Sequence, residues 1–307
     1  MITVTLRFKA KYKWLSVLFA LALPGVVLGV HAENDAAQQP ALIRSLYQSQ
    51  PGVVVVKKLD IRSVSDDWLI HPPNRSVQLQ VEPAADGESA RMALCNDLVS
   101  RSFYVGANLA CFSYRNLRSR AEFIRAVKPE MRVKLDGIWY EVGGLVGQPE
   151  RSYLEESWLK EMKSPTNRFR FCGLSTGRPL ERYHWKPKFN APDVPWPPKG
   201  LRISMQYAPP ESADPRHKHL KLTVNYELYE GIPVLSKSFT LENDGDQPVM
   251  VDEIETELLA VPQDQINNIH AESDYSFHLV NHSPDDCHAV GDGSKPIPWD
   301  LPLYMAG

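Results

Sequence analysis

The chain is short of the features that usually announce chemistry. Its 307 residues hold only four cysteines, Cys95, Cys111, Cys172 and Cys287, far from the density of a disulfide scaffold. It has no phosphate-binding glycine loop, no paired C-x-x-C and no H-E-x-x-H, so nucleotide chemistry and the established zinc patterns lack a starting point. No segment repeats at a fixed period, which removes solenoids and propellers. The strand–helix alternation that a (β/α)8 barrel needs is also missing. The formal net charge is −3, with no basic excess to favour nucleic acid or an anionic membrane as partner. Only one long apolar run occurs, Trp14 to Val30.

That run sits where a leader would. Arg7, Lys9, Lys11 and Lys13 precede it without an acidic residue, and Val30 and Ala32 offer small residues before Glu33. The order predicts a secretory signal over residues 1–32, cleaved after Ala32, and a secreted or periplasmic product. An uncleaved anchor is the rival reading, although Pro24 and Gly25 interrupt the run. Cleavage removes four positive charges and takes the net charge from −3 to −7. The mature chain would have no membrane contact. In an oxidising compartment four cysteines allow three pairings; Cys95 with Cys111 is the short-loop option, and buried free thiols are the alternative.

What is present is β-pattern. A polar segment, 33–50, holds a helical turn or two around Leu42 to Tyr47, and from Gly52 the period changes to two. Val77, Leu79 and Val81 alternate, as do Met131, Val133 and Leu135, and Asp136-Gly137 predicts a tight hairpin. Leu220, Leu222, Val224, Tyr226 and Leu228 alternate with Lys221, Thr223, Asn225 and Glu227, the clearest strand in the chain. One helix is expected in "PERSYLEESWLKEMK", where Leu154, Trp158 and Met162 recur at helical spacing and would pack on the sheet. The proline-dense stretch from Lys186 to Pro210 should be extended, a rigid crossover between two sheets. These signals predict a mainly β fold, a large antiparallel β-sandwich with one or two short helices, over residues 51–290, with a tail at 291–307.

Candidate chemistry is sparse. "GLSTG", Gly173 to Gly177, matches G-x-S-x-G, but Arg178-Pro179 follow where a nucleophile elbow needs a helix, so Ser175 reads as part of a turn. His217 and His219 would share a face of a strand, and His278, His282, Asp285, Asp286, Cys287 and His288 could supply three ligands. Neither spacing matches a metal pattern, and no metal or cofactor is expected. Asp252 with Glu253, or Glu272 with Asp274, could flank a glycosidic bond only at a separation that sequence does not measure. Asn74 and Asn281 begin N-x-S triplets, which matter only in a eukaryotic secretory route.

"YELYEGIPVLSKSFTLENDG", followed by "VDEIETELLAV", resembles the N-terminal β-supersandwich of glycoside hydrolase family 36, the α-galactosidase-like enzymes. The order of features is shared: Tyr-Glu-x-Tyr, a Gly-x-Pro corner, a Lys-bearing strand, an Asn-x-Gly turn and a Glu-Leu-Leu-Ala ending. "VKLDGIWYEVGGLVGQPERSYL" and "WPPKGLRISMQY" add to it, over roughly residues 75 to 285. The resemblance implies a supersandwich fold of the galactose mutarotase-like kind. It implies no catalytic residue here, because the family's catalytic aspartates lie in a (β/α)8 barrel that this chain does not contain. The expected role is that of a non-catalytic domain contributing glycan contact, domain packing or assembly, with carbohydrate and a barrel in cis or in trans as partners. His270 to Phe277, carrying Glu272, Asp274 and Tyr275, would be the loop bordering a substrate, a buried hydrogen-bond cluster being the favoured alternative there. A free-standing carbohydrate-binding or structural module is the alternative, with Trp139, Trp185 and Trp196 as sugar-stacking platforms or, equally, core and interface residues. An independent hydrolase is a third reading.

Overall fold

The period-two runs become strands, and the strands collect into three sheets. The computed structural model describes residues 2–8, 35–46, 50–62, 67–71, 73, 76–182 and 195–269. Strand β1 (Ile2–Phe8) and helix α1 (Asp35–Ser45) come first. Strands β2 (Val53–Val55), β3 (Gln78–Pro83), β4 (Ala90–Cys95), β5 (Val99–Val105), β6 (Leu109–Asn116) and β7 (Ala121–Glu122) follow as one six-stranded sheet in sequence order. It is antiparallel except where β2 joins β3. The β8 (Met131–Leu135) and β9 (Ile138–Val142) hairpin opens a second sheet. A meander of β10 (Arg170–Gly177), β11 (Gly200–Ala208), β12 (Leu220–Tyr229) and β13 (Leu235–Asn243) makes a third. Strand β14 (Val251–Glu255) completes the second sheet beside β8, and β1 lies parallel on the free side of β13. The architecture is a large antiparallel β-sandwich.

Its core lies between the six-stranded sheet and the meander. Phe103 of β5 meets Tyr226 of β12 with ring centroids 5.4 Å apart. Along β12, Leu220, Leu222, Val224, Tyr226 and Leu228 are all at most 2% exposed, each burial contributing roughly 1.5–3 kcal/mol before the entropy cost. The predicted hairpin closes at Asp136 (φ 46°) and Gly137 (φ 79°), the left-handed pair that a type I′ turn requires. Helix α1 is longer than the turn or two expected, and it sends Ile43 into the core at 0% exposure, joined by Leu46 just past its end.

Strand β5 is buried at every residue, because both of its faces are covered. Val99, Arg101, Phe103 and Val105 face the core, and Tyr104 joins a separate apolar cluster with Ala110, Phe112, Leu145, Leu159 and Met162. That outer cluster corrects the helix expected near residue 155. Only a 3₁₀ helix, Glu156–Glu161, forms there, and Leu159 is its buried residue. With three residues per turn, Leu159 and Met162 share one edge, whereas Trp158 stays half-buried.

Two more expectations change. The proline-dense stretch from Lys186 to Pro210 includes β11, which is the antiparallel neighbour of β10 in one sheet, so the chain does not change sheets there; residues 183–194 lie outside the described residues. Cys95, Cys111 and Cys172 are not joined in disulfides. Cys95 on β4 and Cys111 on β6 are separated by β5, a gap of roughly two interstrand spacings, about 9–10 Å, beyond the reach of a disulfide. Cys287 and residues 9–34, with the apolar leader run, lie outside the described residues. Among the described residues no helix is long and apolar enough to cross a membrane.

Candidate functional site: a buried charge cluster

The most unusual chemistry is inside the sandwich, where the three sheets meet. Strand β5 carries Ser-Arg-Ser-Phe (Ser100–Phe103) and β13 carries Ser-Lys-Ser-Phe (Ser236–Phe239). In both, the cation takes an inward position two residues before a core phenylalanine, and in both the flanking serines are buried on the opposite face. Arg101 is 3% exposed and Lys237 7%. Glu130, just before β8, and Glu257, just after β14, supply the counter-charges.

The Arg101 guanidinium donates a two-pronged pair of hydrogen bonds to Glu257, Nη1 to Oε2 and Nη2 to Oε1, both 2.9 Å. Lys237 Nζ donates to Glu257 Oε2 at 3.3 Å and to the Glu130 carbonyl at 2.5 Å. Glu130 Oε2 accepts the Tyr226 hydroxyl, and its Oε1 accepts the Cys111 amide at 3.2 Å. It also lies 3.9 Å from Arg101 Nη2 and 3.7 Å from Lys237 Nζ. Two cations and two carboxylates thus form a neutral quartet. The guanidinium carbon also sits 4.7 Å from the Tyr226 ring centre and 5.3 Å from that of Tyr114, a geometry that gains cation–π attraction.

The electrostatics follow from burial against partners. Burial alone would raise the Glu257 carboxyl, but Arg101 and Lys237 outweigh it and hold it below the ordinary carboxylate range. Burial works against the Arg101 charge, and the Cys111 sulfur and Glu257 more than compensate, so its pKa stands well above the usual value. Burial pushes the Cys111 thiol up to about 12. At neutral pH it is a thiol and a poor nucleophile. A cavity of about 10 Å³ borders Arg101, Cys111, Lys128, Glu130 and Leu259. That is room for about one water and far below the roughly 300 Å³ of a small-molecule pocket.

A second cluster fixes the β8–β9 hairpin. His217 is fully buried in a 3₁₀ helix, His217–His219, at the end of the β11–β12 connection. Its Nδ1 lies 3.0 Å from the Tyr140 hydroxyl and its Nε2 3.0 Å from Asp136 Oδ2. Arg216 Nη1 reaches the same carboxylate oxygen at 3.1 Å, and the Met250 amide donates to Oδ1 at 3.1 Å. The Asp136 carboxyl is held low by the His217 hydrogen bond first and the Met250 amide second. The expectation that His217 and His219 share a strand face is overturned: His219 is exposed and His217 points inward. Among the described residues no three His, Cys, Asp or Glu gather as metal ligands.

The other sequence candidates are dispersed. Ser175 lies inside β10, opposite Ser204 of β11, so "GLSTG" is neither a turn nor a strand-to-helix elbow. Trp139 is on the outer face of β9, half-buried, with Arg132 4.6 Å and Lys134 5.7 Å from its ring centre. Trp196 is half-buried in the segment leading into β11, and β11 and β9 belong to different sheets. Trp185, Glu272, Asp274 and Tyr275 lie outside the described residues. No protein-family model, curated protein or solved structure matches the chain.

Proposed function

We propose that this chain is a non-catalytic sandwich domain of a secreted α-galactosidase-like glycosidase, serving domain packing, assembly or glycan contact. One observation carries the reading. Tyr226, Lys237 and Glu257, polar residues of the segment that resembles the family 36 sandwich, are all consumed in one buried cluster that ties three sheets together. These three residues are therefore structural ties, and the space beside Glu130 holds about one water. A rigid body of this kind is suited to bracing a neighbouring barrel, the role the resemblance implies. The purified chain, assayed with an aryl α-galactoside, is expected to give no turnover above buffer. Turnover that co-purifies with the chain and disappears in a Glu257→Gln variant that is still folded would overturn the proposal.

A free-standing carbohydrate-binding module is the second reading, and Trp139 favours it. Its half-buried indole is framed by Arg132 and Lys134, which pair with Glu255 at 3.0 Å and Glu253 at 2.7 Å. An aromatic face among fixed polar groups is the ordinary composition of a sugar subsite. Saturable glycan binding lost on Trp139→Ala, in a chain isolated without a barrel partner, would favour this reading over the first.

A further inference from the structure

Among the described residues, one side of the meander is covered only by β1. The other sheet edges are blunted, as edge strands usually are. Strand β2 has three residues and β7 two. Strand β10 carries a register shift between Phe171 and Gly173, and β14 one between Val251 and Glu253. The end of β9 is bridged from Val142 to Phe169. Strand β13 is different. It runs nine residues in unbroken register with β12, from Leu235 opposite Leu228 to Asn243 opposite Leu220, without proline or bulge. Left bare, such an edge is a template for another strand.

In the structure that edge is taken. Strand β1 lies on it in parallel over seven register pairs, from Ile2 beside Lys237 to Phe8 beside Asn243. Ile2, Val4 and Leu6 fall at the positions of Lys237, Phe239 and Leu241, the inward-facing set of β13, while Thr3, Thr5 and Arg7 take the other positions. Yet residues 2–8 also begin the segment whose order is that of a secretory signal. Cleavage after Ala32 would remove β1 and leave this nine-residue edge without a partner among the described strands.

We propose that the open side of β13 is a strand-acceptor site. In the cleaved chain it takes a parallel, extended segment of a second polypeptide, at least seven residues long, with apolar residues at every other position. The occupant's chemistry is read from the segment already seated there. Main-chain hydrogen bonds supply affinity in this mode, and alternate side chains supply selectivity. The assignment rests on leader removal and not on any glycosidase role.

The test uses the full chain with a specific protease site inserted after Ala32, cleaved once the protein has folded. A fluorescent peptide of sequence ITVTLRFK is titrated into the cleaved protein, and amide exchange is followed along Leu235–Asn243. Saturable binding is expected, with slowed exchange at β13 and at least tenfold weaker binding of the same peptide carrying Val4→Pro. Retention of the cleaved segment, displaced by excess peptide, is the same result. The proposal is overturned if no saturable binding occurs or if the Val4→Pro peptide binds equally well. It is also overturned if β13 is still protected before peptide is added once the cleaved segment has been washed away, since another part of its own chain then covers the edge. Dimerisation of the cleaved chain through β13 would equally overturn it, by making a second copy the occupant.

Discussion

Replacing Arg101 by methionine tests the buried quartet most directly. Methionine keeps much of the volume while deleting both hydrogen bonds to Glu257 and the cation between Tyr226 and Tyr114. Two carboxylates would then share the single ammonium of Lys237, 3.3 Å from Glu257 and 3.7 Å from Glu130. Removing one partner of a buried pair costs about 3–5 kcal/mol. Lys237 remains in place, so the lower end applies, about 3 kcal/mol, or roughly 6–12 °C in Tm for a domain of this size. The pH dependence supplies a sharper signature. In the native chain the folded pKa of Glu257 lies below its ordinary value. Its contribution is therefore complete above the unfolded carboxyl pKa of about 4.3 and is lost as pH falls through the lower folded value. Without Arg101, burial has one less opponent and the folded pKa of Glu257 rises. The stability gap between native and variant should be full at pH 7 and should narrow as pH drops to about 4 and below. Thermal unfolding followed by near-ultraviolet circular dichroism at several pH values reads both effects. A gap under about 1 kcal/mol at pH 7, or one that does not change on acidification, would refute the view that these charges are buried and coupled. Adding Glu257→Gln should then cost less than the two single changes together, by about 0.5–3 kcal/mol.

Three other changes have readable outcomes. His217→Ala leaves the buried Tyr140 hydroxyl one partner short and should cost about 1–3 kcal/mol; it also removes the first cause of the low Asp136 pKa, so less stability should be lost as pH falls below about 4. Gly144→Ala should destabilise by about 1–3 kcal/mol, because Gly144 has φ 77° and a Cβ there would lie 2.8 Å from the Pro129 backbone, next to Glu130; equilibrium unfolding in urea measures it. Thiol alkylation of the folded protein at pH 8, mapped by mass spectrometry, should mark exposed Cys172 and spare Cys95 and Cys111 until denaturant is added. Labelling of Cys111 in the folded state would contradict its burial.

The fold was largely legible because alternation is a local signal. Strand β12 reads directly from Leu220 to Leu228, and Asp136-Gly137 announces its own turn type, since both residues tolerate a positive φ. The failures share a cause. The segment "SYLEESWLKEM" has α-helical spacing, but what decides its conformation is the apolar strip on the outside of β5 and β6, where a 3₁₀ turn sets Leu159 and Met162 in line. The proline-dense stretch gives conformation but not destination, because nothing local says whether the next strand joins the same sheet. His217 and His219 were paired by a strand period that the backbone does not adopt there, and the buried one answers to Tyr140 and Asp136, 77 and 81 residues away.

The charge cluster was half legible. Arg101 and Lys237 each interrupt an apolar alternation at an inward position, Val99-x-Arg101-x-Phe103 and Leu235-x-Lys237-x-Phe239, and a cation in that place demands an anion because the desolvation cost is otherwise prohibitive. The demand can be read from one strand, but its answer cannot. Glu130 and Glu257 come from segments flanking a third sheet, 29 residues after Arg101 and 20 after Lys237, and their neighbours in sequence do not distinguish them from the chain's other carboxylates. The two cations converge on the same acids: Arg101 already engages both oxygens of Glu257 and Lys237 adds a third hydrogen bond, while Glu130, bonded by Tyr226 and the Cys111 amide, lies 3.9 Å from Arg101 and 3.7 Å from Lys237. The repeated Ser-cation-Ser-Phe pattern on strands that oppose each other across the core is thus the sequence trace of a contact between sheets, and it predicts that neither cation can be neutralised without the other registering it. Lys237→Met should accordingly shift the acid limb of unfolding in the same direction as Arg101→Met, and a Lys237→Met variant with the native acid limb would separate the two cations and dissolve the cluster as a unit.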